Sequence, residues 1–295
     1  IFATVQPDDP EAPGPAVVFS AELPDGHRPK GHGAVLPAYR VPGGRNPNLA
    51  PGLTAFLSGR LGVPVSAEDV LAWIAALTAR PGAARAGEQV PVPLTASPEL
   101  WAQGVALGRR VLWLHTFGER SADRDDDRPA GMPRMPGGRR PFVRRAIPAT
   151  TAGFPTAIDH DAETGTLVVG EGRIAPVPRS AWEYRAGGVR VLDAWFAGRA
   201  LEPQAAEPGT LEAIRLAVWP KEWTTELIGL VAVLGLLADL HPAQDALAKA
   251  VSAGPLITAA ALRKAEVLPV PAAATRPETV LDHREEGPEG QFALF

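Results

Sequence analysis

Apolar positions along the chain follow two different periods, and the points where the period changes divide it into elements. Over residues 1–47 they form short alternations, Ala16-Val17-Val18-Phe19 and Ala34-Val35-Leu36, between prolines and glycines, which predict strands joined by irregular loops. From Asn48 the spacing becomes helical. Asn48 is placed to cap a helix over residues 48–61, and Ser66-x-x-Asp69 forms a capping box that opens a second helix over 66–79, ended by Pro81-Gly82. Ser97-Pro98-Glu99 combines a cap, a proline at the first helical position and an early acid, so a third helix runs from there to about residue 117 with Leu100, Trp101, Val105, Val111, Leu112 and Leu114 on its apolar side. Residues 121–138 read as a loop. Phe142-Val143, Ala157-Ile158, 166–169 and 173–175 read as short strands, with a hairpin turn at 161–165. Residues 202–209 read as a flexible connector. Pro220 opens a strongly apolar helix to Leu240, ended by His241-Pro242, and a short helix follows over 243–251. The fold class predicted is α+β, short irregular sheets or hairpins packed with a helical layer, with no doubly wound nucleotide-binding sheet. The divisions are a mixed β and helical part over 1–120, a Pro/Gly/Arg-rich loop over 121–146, a hairpin and helical part over 147–274 and an acidic, loosely docked tail over 275–295, all within one recognition unit.

The most densely patterned stretch is 182–199, WEYRAGGVRVLDAWFAGR. Trp182-Glu183-Tyr184 alternates like a strand end, and Gly187-Gly188 supply the positive φ that ends it. Val189, Leu192, Trp195 and Phe196 then recur at helical spacing, leaving Arg190, Asp193 and Arg199 on the wetter face. Such an aromatic stripe is equally the mark of a buried strand-to-helix corner.

Trp182-x-Tyr184, Gly188-x-x-Val191 and Trp195-Phe196-x-x-Arg199 together resemble a signature of the C-terminal specificity (target-recognition) region of type ISP restriction-modification enzymes, which are single-chain DNA methyltransferase fusions. The resemblance extends upstream through Val35-Leu36-Pro37-Ala38-Tyr39-Arg40, Asn48-Leu49-Ala50-Pro51-Gly52-Leu53, Val92-Pro93-Leu94-Thr95, Leu107-Gly108-Arg109 and Leu114-His115-Thr116-Phe117-Gly118-Glu119-Arg120. Downstream it takes in Trp223-Thr224-Thr225-Glu226-Leu227 and Ala253-Gly254-Pro255-Leu256, so it covers nearly the whole chain. Gly198 stands where the signature has tyrosine, and the segment from Arg80 to Pro93 is shortened. The resemblance implies double-stranded DNA as partner and an upstream domain that methylates adenine N6 with S-adenosylmethionine, with no cofactor in this chain. It also implies a cytoplasmic bacterial protein of phage defence.

Composition changes this picture in a few respects. The 295 residues contain no cysteine, which excludes disulfides and thiolate metal sites. The start, Ile1-Phe2-Ala3, lacks a methionine and any signal-peptide pattern, which predicts a piece of a longer protein. The apolar run 227–240 falls short of the roughly 20 residues a bilayer needs, so no membrane span is expected.

A net charge of −4 argues against a free-standing nucleic-acid binder, but the charge is unevenly spread. No acid lies between Asp127 and Asp159, while Arg128, Arg134, Arg139, Arg140, Arg144 and Arg145 do, so this segment carries +6 and the remainder −10. A basic segment on an acidic body fits a module with one nucleic-acid face.

Catalytic patterns are missing from the sequence. Asn46-Pro47-Asn48-Leu49 lacks the second proline and the aromatic of an amino-methyltransferase loop, Gly31-His32-Gly33 lacks the third glycine of a nucleotide fingerprint, and no lysine follows an acid at the nuclease spacing. Asp123-x-Asp125-x-Asp127 imitates a calcium loop, but Arg128 and Arg134 occupy its glycine and glutamate positions, so it reads as a solvated acidic loop. His115, within an apolar run, reads as a hydrogen-bonded core histidine. Asp159-His160-Asp161 reads as turn chemistry. The expected DNA-binding residues are therefore Arg134, Arg139, Arg140, Arg144 and Arg145, with Arg185, Arg190 and Arg199 behind them, because a guanidinium can hold a phosphate or guanine bidentately. The alternatives are an arginine-rich solvated loop, or a non-catalytic protein-interaction module docking on neighbouring domains.

Overall fold

Alternating burial near the start of the chain produces the first sheet. In the computed structural model, which describes residues 1–7, 14–24, 34–41, 44–85, 89–199 and 218–275, β1 (Phe2–Val5) lies between β2 (Val17–Ser20) and β3 (Val35–Pro37), antiparallel to both. In β2, Val17 and Phe19 are buried and their neighbours only partly covered, the period of two of a half-buried strand. β1 gives no such signal in sequence because its one fully buried residue is Thr4. β4 (Tyr39–Val41) and β5 (Arg45–Pro47) form a small hairpin.

Helix starts follow their caps where a cap is present. α1 (Leu53–Leu61) begins behind Gly52 at φ 79°, not at Asn48 as the sequence suggests, because the Asn48 amide donates instead to the Pro37 carbonyl at 2.9 Å. α2 (Ala67–Thr78) has both halves of the expected capping box, Ser66 Oγ accepting from Asp69 N and Asp69 Oδ2 from Ser66 N. After the short β6 (Leu94–Thr95), α3 (Pro98–His115) starts where expected, with Ser97 Oγ accepting from Leu100 N at 3.2 Å.

The second sheet has the order β7 (Phe142–Arg145), β10 (Gly172–Ala175), β9 (Thr166–Val169), β8 (Ile158–Asp161), all antiparallel, so β7 is an edge strand. β8 and β9 form the expected hairpin, whose turn is fixed by Asp161 Oδ1 accepting from Glu163 N and Thr164 N.

The stretch expected to continue as a strand at 182–184 is instead the end of a short helix, α4 (Arg179–Trp182). Trp182 N and Glu183 N donate to the Pro178 and Arg179 carbonyls, so this backbone is already satisfied locally. Gly187 and Gly188, at φ 58° and 79°, turn the two-residue strands β11 (Arg185–Ala186) and β12 (Val189–Arg190), and α5 (Val191–Ala197) follows with Leu192 and Phe196 buried.

α6 (Lys221–Ala253) runs through Pro242 instead of ending there. A proline removes one helical hydrogen bond and disfavours continuation, but tertiary contacts hold the second half in line. Gln244 Nε2 donates into the Ala76 carbonyl at 3.0 Å, with Ala75 and Ala79 nearby, at the end of α2, and Leu247 and Val251 are buried. At 33 residues α6 is long and apolar enough to cross a membrane, yet Leu227, Val231, Val233, Leu234 and Leu237 lie in the same core as α2 and α3. Of the apolar residues expected to be buried here, Leu227, Ile228, Leu230, Val231, Val233, Leu234, Leu236 and Leu237, all are buried except Ile228 and Leu236, which are partly covered. Leu234 is 3% exposed, and truncating it to alanine is expected to cost about 2–5 kcal/mol, read as a lowered denaturation midpoint. β13 (Leu256–Ile257) pairs with β6, and α7 (Ala259–Lys264) and α8 (Ala272–Thr275) complete the described chain.

The fold is thus mixed α+β: short antiparallel sheets around a helical layer, with a hydrophobic core continuous from Ala16 to Val251. The connector expected over 202–209 and the tail beyond Thr275 lie outside the described residues.

Candidate functional site

The arginine-rich segment is fastened to α6 by the chain's two methionines. Met132 lies over Gly229, where an added Cβ would come within 3.0 Å of its Sδ and Cε, and the buried Met135 fills the notch at Gly235, where a Cβ would fall 2.0 Å from its Cε. These contacts explain two glycines inside an apolar helix. They also place residues 132–139 along α6, with the exposed Arg134 between the two anchors.

The five leading arginines then separate into two kinds. Arg139 makes a bidentate pair with Asp239 of α6 at 2.7 and 3.1 Å, and this hydrogen bonding raises its pKa further. Arg145 Nη2 meets Glu171 at 2.8 Å, both side chains being 62% exposed. Sequence offered no acid nearby for either, and the correction is physical: both acids arrive by tertiary packing, from 100 and 26 residues away. Arg134, Arg140 and Arg144 are exposed and make no ion pair or hydrogen bond with the described residues. Arg144 instead places its guanidinium over the Phe142 ring at 4.2 Å. Arg144 and Arg145 stand on β7, so the basic segment is not all loop; its carboxyl end is a regular strand with all four side chains exposed. The sixth arginine of the segment, Arg128, is buried at 4% and is consumed internally by Asp123 and Asp126, with its Nε donating to the Ser121 carbonyl. That pairing accounts for part of the acidic run that imitates a calcium loop.

Arg185, Arg190 and Arg199 are engaged within the fold. Arg199 lies 4.1 Å above Trp195 and 5.5 Å from Trp223, while its Nη2 pairs with Glu226 at 2.6 Å; the same carboxylate accepts from Trp195 Nε1. Arg190 stacks on Trp182 at 4.1 Å and pairs with Asp193 at 3.0 Å, and Arg185 Nη1 donates to the Gly188 carbonyl. Trp195, Phe196, Trp219, Trp223 and Phe154 form one aromatic cluster, with Trp219 and Trp223 edge to face at 5.2 Å. The patterned stretch at 182–199 is therefore both the buried corner and the carrier of the arginines, since the aromatics that fill the core also hold the guanidiniums.

Sequence reading missed the apolar half of the surface around β7. Phe142 and Val143 are 46% and 39% exposed, and with Gly137, Gly138, Arg140 and Ile228 they wall an open cavity of about 580 Å³ between the segment and α6. Periodicity marked these two residues as strand but could not show that the strand lies at an edge with both faces uncovered. Elsewhere, His115 is the hydrogen-bonded core histidine expected, its Nδ1 accepting from Phe19 N at 2.9 Å. His160, at the hairpin, reaches the Val177 carbonyl at 3.0 Å and stacks on Trp182.

The fold is thus an antiparallel α+β arrangement in which Arg144 on the edge strand and Arg134 and Arg140 before it stand exposed without an ionic partner among the described residues. The chain belongs to the type ISP C-terminal specificity domain family, whose model matches residues 2–230. Among solved structures it is similar to a chain of a cryo-EM structure of a DrdV–DNA complex, with 18% identity and a TM-score of 0.40 over 75% of this chain and 21% of that one. The chain therefore spans about a fifth of the length of that neighbour. No curated protein matches.

Proposed function

We propose that this domain reads double-stranded DNA for a type ISP-like restriction-modification enzyme, through the face formed by residues 134–145. The observation that carries the reading is the set of Arg134, Arg140 and Arg144, exposed and unpaired among the described residues. Three unneutralised guanidiniums within so short a segment of an acidic chain repel one another, and phosphate oxygens are the ligand class that relieves this while using their bidentate geometry. Arg139 and Arg145 belong to the same face but must first exchange a carboxylate for a phosphate. For an exposed pair such as Arg145–Glu171 that exchange is inexpensive, because such pairs contribute about 0–1 kcal/mol. Arg185, Arg190 and Arg199 rank behind these five, because Arg190 and Arg199 are stacked on Trp182 and Trp195 and Arg185 donates to the Gly188 carbonyl. On this reading the methyl group comes from S-adenosylmethionine held by an upstream methyltransferase domain of the same polypeptide, in the cytoplasm, and this chain holds no cofactor.

The test is the salt dependence of duplex binding by the protein carrying this chain in its natural full-length form. Each phosphate neutralised contributes about 0.9 to the slope of log affinity against log salt. Replacing Arg140 and Arg144 with alanine is expected to reduce that slope by about two, whereas Arg139→Ala changes it less because Asp239 competes for the side chain. An unchanged slope, affinity and site preference in the double variant would overturn the DNA face and favour a protein-docking module.

A further inference from the structure

We infer that the cavity beside β7 is a reader of the thymine C5-methyl group, an inference that rests on the DNA face proposed above. Three observations converge on it. First, the cavity is walled by Phe142, Val143 and Ile228, yet its rim carries the unpaired Arg140 and, over the Phe142 ring, Arg144. Apolar side chains left 46% and 39% exposed within an arginine cluster match a ligand that is apolar at one point and anionic around it. Duplex DNA has that pattern in its major groove, where the thymine methyl is the apolar group on the base edges and the phosphates line both sides.

Second, β7 is the edge strand of the four-stranded sheet, joined only to β10, so its outer edge and both of its faces are open to a ligand. Third, the β7–β10 register shifts by one residue: Arg145 faces Arg173 and Val143 faces Ile174, which leaves Arg144 without a partner. An extra residue of this kind bends the strand and redirects its side chain, and here it brings the Arg144 guanidinium over Phe142. An arginine stacked beside an apolar contact suits a thymine next to a guanine, the methyl entering the cavity and the fork meeting guanine O6 and N7.

The experiment begins with selection of the preferred duplex from a random library by the full-length protein. Each thymine of that site is then replaced by uracil, which removes the methyl and leaves every hydrogen-bonding group in place. At one or two positions uracil is expected to weaken binding about three- to fivefold, the effect of one buried methyl, and Phe142→Ala or Val143→Ala is expected to abolish the difference, Val143→Ala with the salt slope unchanged. Both side chains stand on an edge strand outside the hydrophobic core, so both variants retain the fold. Equal affinity for thymine and uracil at every position, a preferred site without thymine, or discrimination that survives both variants would overturn the methyl reader while leaving the DNA face standing. Loss of the arginine-dependent slope would instead remove the DNA face itself, and the methyl reader with it.

Discussion

Gly108→Ala is expected to destabilise the domain by more than about 3 kcal/mol, a large fraction of the about 5–15 kcal/mol that holds an ordinary domain folded. Gly108 lies on α3 where the helix crosses α2, and a Cβ added there would fall 1.7 Å from the Ala72 carbonyl oxygen and 2.4 Å from its carbon. The obstacle is backbone, so no side-chain rotation relieves it; the two helices must separate by more than an ångström. Separation would also disturb neighbouring contacts. Gly104, one turn earlier, lies beneath the Trp73 ring, 2.4 Å from where its Cβ would be, and that ring is stacked on Trp101 at 4.9 Å. Arg109, the next residue, pairs at 2.6 Å with Asp69, the same carboxylate that completes the capping box of α2. Leu107-Gly108-Arg109, which the sequence offered only as part of a resemblance, is therefore a docking device for two helices, with glycine allowing the approach and arginine fixing it. Gly59→Ala is the matched control: it sits exposed in α1 with nothing within 4 Å of a new Cβ, so it is expected to gain about 0.5–1 kcal/mol from helix propensity. Chemical denaturation of the two variants side by side separates close packing from a general intolerance of substitution, and a Gly108→Ala midpoint equal to the parent's would mean that the helices do not approach this closely.

What could be read from the sequence was what the chain decides locally. Ser66 and Ser97 announced their helices because each capping hydroxyl and the amide that donates to it lie three residues apart. The turn at Asp161 and the glycine pair at 187–188 were equally plain, since each needs only its own side chain or its own φ. Asn48 misled because its amide had a competing acceptor across the β4–β5 hairpin, at Pro37. Pro242 misled for the same kind of reason, since the grip of Gln244 on α2 comes from about 165 residues away in sequence. The arginine segment divides along this line. Its charge was visible as composition, and so was its lack of local acids. Which guanidiniums remain unpaired was not, because Asp239 and Glu171 reach Arg139 and Arg145 only through the fold. The cavity at Phe142 was hidden for the complementary reason that one wall, Ile228, belongs to α6.

Lowering the pH from 6.5 towards 4 is expected to remove about 3 kcal/mol of stability through His115 alone. Burial pushes this imidazole down from an ordinary 6.5 to about 4, with the nearby His241 acting in the same direction. The geometry agrees, because Nδ1 is already committed as acceptor to the Phe19 amide and Nε2 is buried without a partner among the described residues. Charging the ring would sacrifice that hydrogen bond and leave a cation in the core. In the unfolded chain the same histidine takes up its proton near 6.5, so between 6.5 and 4 the unfolded state binds more protons than the folded one and stability falls as pH falls. The loss is absent above 6.5 and complete near 4. His241 adds to it, its pKa lowered chiefly by burial. Carboxylates with lowered pKa, such as Glu68 and Asp161, start from ordinary values of 4.5 and 3.8 and contribute only at the acid end, so the interval from pH 6.5 to 5 reports on the histidines. Unfolding free energies at pH 7.5, 6.5, 5.5 and 5 provide the measurement. His115→Gln, whose side-chain carbonyl can still accept from Phe19 N, should lower stability at pH 7.5 and reduce the slope below 6.5 by most of one proton. If the slope of the variant equals that of the parent, His115 is not the group that titrates, and its imidazole must be charged or solvated in the folded domain.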